Sequence, residues 1–195
     1  MSMIKTKKIY PPGDFAIWII IYIELLTFGL FFIGYIYSRR GNEELFNASQ
    51  LLLDQRSGFI NTIILISASY FVIKAVDAIK TMEIKKASIV AKNWLLAAIG
   101  FGGVFLIIKM LEFISKYQDG INLSTNKFFM FYYLLTMFHF LHVLLGMIIL
   151  YNLYLQTKNE AYSADNCVGL ETGASYWHMV DLLWIVLFPL IYIIR

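Results

Sequence analysis

The chain has 195 residues, of which 59% are hydrophobic and 15% are charged. A soluble domain carries about 25% charged residues, so the composition argues for a protein dissolved in lipid. A net charge of +3 is too small to imply a nucleic-acid partner, and the single cysteine, Cys167, excludes an intrachain disulfide or a cysteine-built metal cage.

The amino terminus imitates a secretory signal, with Lys5, Lys7 and Lys8 ahead of an apolar run. That run is too long for a signal core and no small-residue cleavage pattern follows it, so it reads as an uncleaved membrane span. A helix crossing the hydrocarbon needs about 20 mainly apolar residues. Five segments qualify: 15–37, 59–79, 93–114, 128–155 and 172–194. They are continuous and apolar on all sides, unlike barrel strands, which alternate over about 10 positions. The expected fold is all-α: a polytopic membrane protein, a bundle of five transmembrane helices forming one domain over 1–195.

The connections 39–58, 80–92, 116–127 and 156–170 read as short polar loops, with Asp119-Gly120 as a turn signal. Cys167 falls in the last of them and reads as an inert thiol. Lys5, Lys7, Lys8, Lys80, Lys85, Lys86 and Lys92 make the tail and the second loop the densest basic segments. By the positive-inside rule the amino terminus is expected in the cytoplasm and the carboxyl terminus outside, in a bacterial inner membrane.

Ionisable groups at membrane depth cost about 2.5–3.5 kcal/mol each on insertion scales and seek partners inside the bundle. At about 1.5 Å of rise per residue, Glu24, His142 and Asp181 all fall within about 3 Å of the middle of their spans. His139 lies one turn from His142, and His178 one turn from Asp181. These five residues are expected to form a buried polar network between the first, fourth and fifth spans, and Glu24 is expected to bond His142. Interhelical hydrogen-bonding glue and a proton relay are both consistent with the spacing. Lys74 with Asp77, and Lys109 with Glu112, are spaced to neutralise each other, and snorkelling to the interface is the simpler reading for the first pair. Gly100, Gly102 and Gly103 lie inside an apolar helix and read as helix-packing positions rather than a nucleotide loop.

Haem ligation by two histidines needs residues on facing helices. His139 and His142 share a face and only three histidines are present, so no metal or cofactor is expected in this chain.

Two motifs carry a family resemblance. Phe138-His139-Phe140-Leu141-His142-Val143-Leu144-Leu145-Gly146 is similar to the F-H-x-L-H-V-x-x-G signature of haem–copper oxidase subunit III. Glu171, followed by Tyr176-Trp177-His178-Met179-Val180-Asp181-Leu182-Leu183-Trp184, resembles that family's E-x(4)-Y-W-H-x-V-D-x-x-W stretch. Weaker matches in the same order are Ile23-Glu24-Leu25-Leu26-Thr27-Phe28, resembling the segment around the family's buried, carbodiimide-reactive glutamate, then Asn61-Thr62, and Glu112-Phe113.

The resemblance implies a non-catalytic subunit that packs against a haem-bearing catalytic subunit, with or without copper. It also implies phospholipid binding and support for assembly and proton uptake in aerobic electron transport. Two departures are visible. The larger members of the family have seven helices, and the two that would precede Glu24's span have no counterpart, so a lipid cleft beside them is expected to be absent or differently built. Lys109 stands where close oxidase relatives usually carry Gln, which leaves a branch associated with nitric oxide reductase as an alternative. A stand-alone proton or ion transporter is the reading from another class, against which stands the lack of an inverted repeat.

Overall fold

A computed structural model describes residues 11–194 and is helical throughout its long elements. Five helices are long and apolar enough to cross a membrane. In chain order the elements are α1 (Phe15–Arg39), α2 (Glu43–Gln50), α3 (Gln55–Thr81), α4 (Ile84–Gln118), α5 (Lys127–Lys158) and α6 (Val168–Phe188), which runs on into a π-helical turn, Pro189–Ile193.

The predicted spans correspond to α1, α3, α4, α5 and α6, but the helices overrun the hydrocarbon. At about 1.5 Å per residue the 35-residue α4 is about 52 Å long, against a hydrocarbon core of about 30 Å. Apolarity marks only the lipid-covered part of a helix. Lys85, Lys86 and Lys92, assigned to a loop by their charge, therefore sit in the first turns of α4, and the α3–α4 connection shrinks to Met82–Glu83. Likewise the first polar connection contains α2, whose Phe46 is fully buried and holds it onto the bundle.

Caps set several boundaries. The Asp54 side chain accepts from the Arg56 amide at the start of α3, and Asn126 accepts from the Phe129 amide at the start of α5. At the end of α4, Gly120 has a φ of +76°, a conformation glycine adopts without a Cβ penalty.

Helices α3, α4, α5 and α6 close a ring in which each packs on two others, while α1 lies outside against α5 and α6. Two-thirds of the α6 span (67%) is buried against 17% of α1, so α6 is the inner helix. Two glycines make room for it. A Cβ on Gly102 of α4 would meet Met147 and Trp177, and one on Gly146 of α5 would press on the Trp177 ring. Trp177 thus fills a slot between two helices, the close approach small residues permit where van der Waals packing drives association. The opposite face of α1 presents Leu26, Leu30 and Ile33, each about two-thirds exposed. In water this stripe would be an aggregation site, and in a bilayer it is a lipid contact.

The π turn has a local cause. Pro189 has no N–H and its ring crowds the carbonyl one turn back, so regular α geometry fails there. Side chains take up the last carbonyls of the turn, which have no helical partner: Gln50 donates to those of Ile191 and Ile194, Gln55 to that of Tyr192, and Arg39 to that of Ile194. Elements α1, α2 and α3 thereby clasp the end of the chain.

Candidate functional site: buried polar groups in the bundle

At the α1–α5 contact, Nε2 of His142 lies 3.1 Å from Oε2 of Glu24. The other ring nitrogen, Nδ1, lies 2.8 Å from the carbonyl oxygen of Phe138. A carbonyl only accepts, so Nδ1 carries a proton. A neutral His142 then offers Nε2 as an acceptor, and Glu24 fits it as the protonated acid. A carboxylate at Glu24 instead requires an imidazolium. The ring N–H direction does not run along the contact, and Oε2 has no aligned hydrogen bond. The pair is therefore a close contact with the composition to share one proton. Phe28 and Phe138 pack their rings around the imidazole.

His178 and Asp181 do not join that pair. Nδ1 of His178 lies 2.7 Å from Oγ of Ser69 on α3, and Asp181 follows about one turn further along α6. Asp181 is 8% exposed, and its Oδ1 has no partner among the described residues. His139 stands apart again. It is fully buried, its ring lies against Trp184 and Phe105, and neither nitrogen has a partner among the described residues. The five residues expected in one network thus occupy three places in the bundle: Glu24 with His142, His178 on Ser69 with Asp181 one turn further along α6, and His139 in an aromatic pocket.

The remaining sequence candidates are also placed. Glu171 forms an ion pair with Lys80 at the aqueous end of α3 and α6, and its Oε2 accepts from the Gly13 amide at 3.2 Å. Next to it Thr172 accepts from the Asp14 amide, so the start of α6 fastens the segment leading into α1. Thr62 accepts from the indole N–H of Trp184 at 3.0 Å, while its neighbour Asn61 is fully buried with no partner for its amide among the described residues. Lys74 lies over the Tyr70 ring rather than on Asp77. Cys167 is buried just before α6, and burial pushes its thiol up, which suits an inert group.

One cluster goes further than its sequence spacing indicated. Lys109 is fully buried, with Nζ 3.1 Å from Oε2 of Glu112 and bonded to the phenol of Tyr192. Oε1 of Glu112 accepts from both Tyr132 and Tyr192, at 2.7 and 2.6 Å. The rings of Phe113, Tyr132, Trp184 and Tyr192 surround the ammonium at 5.0–5.5 Å. The i,i+3 spacing pointed to the ion pair, but the tyrosines come from α5 and the π turn, and no local pattern reveals them. Ser69 escaped for a similar reason, since a serine in an apolar helix carries no signal until its partner is known. Among the described residues no three His, Cys, Asp or Glu side chains converge as metal ligands.

Comparison with known proteins gives the chain its relatives. The family described as cytochrome c oxidase subunit III matches residues 49–195. A cytochrome c oxidase subunit 3 from Thermostichus vulcanus is 31% identical over 88% of this chain and 82% of its own length. A protein from Staphylococcus saprophyticus described as a probable quinol oxidase subunit 3 is 25% identical over 91% of this chain and 86% of its own. A heme-copper oxidase subunit I+III from Aeropyrum pernix is 29% identical over 92% of this chain, which covers 22% of that longer protein. The chain spans about half the length of several other cytochrome c oxidase subunit 3 relatives. It belongs to the cytochrome c oxidase subunit III family, whose members are non-catalytic membrane subunits of haem–copper oxidases.

Proposed function

We propose that this integral membrane protein, a member of the cytochrome c oxidase subunit III family, is the non-catalytic partner of the haem-bearing catalytic subunit in an aerobic respiratory oxidase. The observation that carries this reading is the α5–α6 pair. Its two family motifs place Gly146 against Trp177 and His139 against Trp184, so they supply the packing of the inner helix rather than ligands for a redox centre. The Aeropyrum relative, described as subunits I and III in one protein, supports a catalytic subunit I as the partner. Haem, and copper where the enzyme has it, belongs to that partner.

On this reading the apolar face of α1 and its neighbours is covered by the partner and by phospholipid. The Glu24–His142 contact holds a proton at membrane depth, and the buried polar residues Glu24, His139, His142, His178 and Asp181 serve assembly and proton uptake. The amino terminus faces the cytoplasm of a bacterial inner membrane and the carboxyl terminus faces the periplasm, in keeping with the basic residues at the start of α4. The electron donor of the complex, cytochrome c or quinol, is set by the partner subunits.

A second reading, an accessory subunit of nitric oxide reductase, is favoured by the caged Lys109 alone. Purification through a tag on this chain from native membranes in mild detergent separates the two. A haem–copper oxidase catalytic subunit in stoichiometric amount, with oxygen-reducing activity, is the expected result. Co-purification of a nitric oxide reductase selects the second reading, and a chain recovered without either enzyme overturns both.

A further inference from the structure

Helix α3 packs on α4 and α6, and its remaining side faces out of the bundle. Along that side Ile63, Ile66, Tyr70 and Ile73 are each about half exposed. Lys74 lies on the same face, half-buried, and Asp77 follows at the aqueous end, exposed. Ionisable groups in membrane helices turn to the bundle interior and pair there, as Lys109 does with Glu112. Lys74 departs from that pattern. Among the described residues it forms no ion pair, and its Nζ lies 5.6 Å from the centroid of the Tyr70 ring. By the helix rise Lys74 is about 7.5 Å from the middle of the 59–79 span, and Tyr70 is within about 1.5 Å of it. The edge of the hydrocarbon is about 15 Å from the middle.

The direction of the lysine narrows what can answer it. Side chains on a helix lean toward its amino terminus. For Lys74 that lean is toward the middle of the membrane, away from Asp77 and away from the level of phospholipid phosphates. One aromatic face offsets only part of the cost of an ammonium at this depth. Tyr70 presents the same imbalance. Tyrosine is enriched where a span meets water, yet here it is half exposed at mid-membrane, and its hydroxyl makes no hydrogen bond among the described residues. Beside it an aromatic ridge crosses to α4: Phe71 lies 6.0 Å from Tyr70, stacks on Trp94 at 5.5 Å and meets Phe101 edge-on at 5.1 Å. Aromatic residues are enriched in protein interfaces. The outer face of α1, with Leu26, Leu30 and Ile33, suits acyl chains instead.

We propose that the outward face of α3 receives a transmembrane helix of the catalytic subunit, which sets an Asp or Glu carboxylate against Lys74. The ammonium donates to that carboxylate, the Tyr70 hydroxyl donates to an acceptor on the same helix, and the aromatic ridge fills the contact beside them. This inference rests on the subunit reading and says which face of the chain that subunit covers.

It is tested in native membranes on the full complex. Ile66 and Ile73 on α3, and Leu26 and Leu30 on α1, are replaced in turn by p-benzoylphenylalanine, and the membranes are irradiated before solubilisation. Adducts of the catalytic subunit are expected from the α3 positions. An α3 that yields phospholipid adducts alone, or none, overturns the inference, whatever α1 yields. Purification through a tag on this chain then reads the charge. Lys74→Glu is expected to lower the catalytic subunit retained per chain about 10-fold or more, and Lys74→Arg to keep it. Because Lys74 has no ion pair within the chain, thermal unfolding of the isolated Lys74→Glu chain is expected to match the parent. Full retention by a folded Lys74→Glu chain overturns the carboxylate partner. These failures arise with a parent chain that still brings down the catalytic subunit; a parent that brings down none refutes the subunit reading itself.

Discussion

Lys109 and Glu112 form an ion pair, 3.1 Å between Nζ and Oε2, with side chains 1% and 6% exposed. Charges this buried persist because each is answered: the carboxylate receives the ammonium and two phenols, and the ammonium receives four aromatic faces. Removing one partner leaves the other uncompensated, at a cost of about 3–5 kcal/mol. Lys109→Met is therefore expected to lower the thermal stability of the detergent-solubilised protein sharply. Lys109→Met/Glu112→Gln is expected to recover most of the loss, because the amide oxygen still accepts from a tyrosine. Equal losses in the single and double variants would show that the charge is not what the cluster balances.

The Glu24–His142 contact is weaker and partly open to lipid, with side chains 24% and 11% exposed. Interhelical polar pairs in membranes average about 0.6 kcal/mol and reach about 1.7. In a double-mutant cycle, Glu24→Ala and His142→Ala are expected to couple within that range, the double variant losing less than the sum because neither group is left unpaired. Glu24→Gln, which can donate to Nε2 without carrying charge, is expected to be milder than Glu24→Ala. Additive losses in unfolding titrations would count against the pair.

The spans and the polar residues of α1, α5 and α6 were legible in the sequence because apolar runs and isolated charges are one-dimensional signals. Helix ends were less so, since α4 continues into its basic first turn, where lysine serves a helix in water as well as it serves a loop. What joins the polar groups was hardly legible. Glu24 and His142 share a depth, and depth can be counted along a helix. His178 shares a helix with Asp181, but its hydrogen bond goes to Ser69 of another helix. Tyr132 and Tyr192 reach Glu112 across 20 and 80 residues of sequence. Helix rotation about its axis decides such meetings, and in α4 and α5 the polar residues are too few to define a face.

At the aqueous start of α3, the Asp54 carboxylate accepts from the Arg56 amide at 3.0 Å and from the Ser57 hydroxyl at 2.6 Å. The bond from Ser57 is the main reason its carboxyl is held below the usual value. A lowered folded value means that the carboxylate stabilises the fold. The contribution is complete well above the unfolded value of about 3.9 and disappears as pH falls through the lower folded value. Asp54→Ala is expected to cost about 1 kcal/mol at neutral pH, and the gap from the parent protein should narrow in strong acid. Asp54→Asn, which caps without a charge, should lose less and show little pH dependence in parallel unfolding curves.

Three glycines within four residues of α4 separate packing from propensity. A Cβ at Gly102 would lie 2.9 Å from the Trp177 ring and 2.5 Å from the Met147 sulfur, whereas at Gly100 and Gly103 it would meet nothing within 4 Å. Met147 is flexible and can move aside, but Trp177 is wedged between α4 and α5 and its ring cannot bend. Gly102→Ala is therefore expected to destabilise by about 1–3 kcal/mol, the usual cost of overpacking. Gly100→Ala and Gly103→Ala remove a flexible residue from a helix interior and should be neutral or stabilise by up to about 1 kcal/mol. Adding Trp177→Phe to Gly102→Ala shrinks the ring that the new methyl strikes and should return part of the loss. Thermal unfolding of the four variants in one detergent decides the matter: equal effects at positions 100, 102 and 103 would mean that α6 does not approach α4 at Gly102.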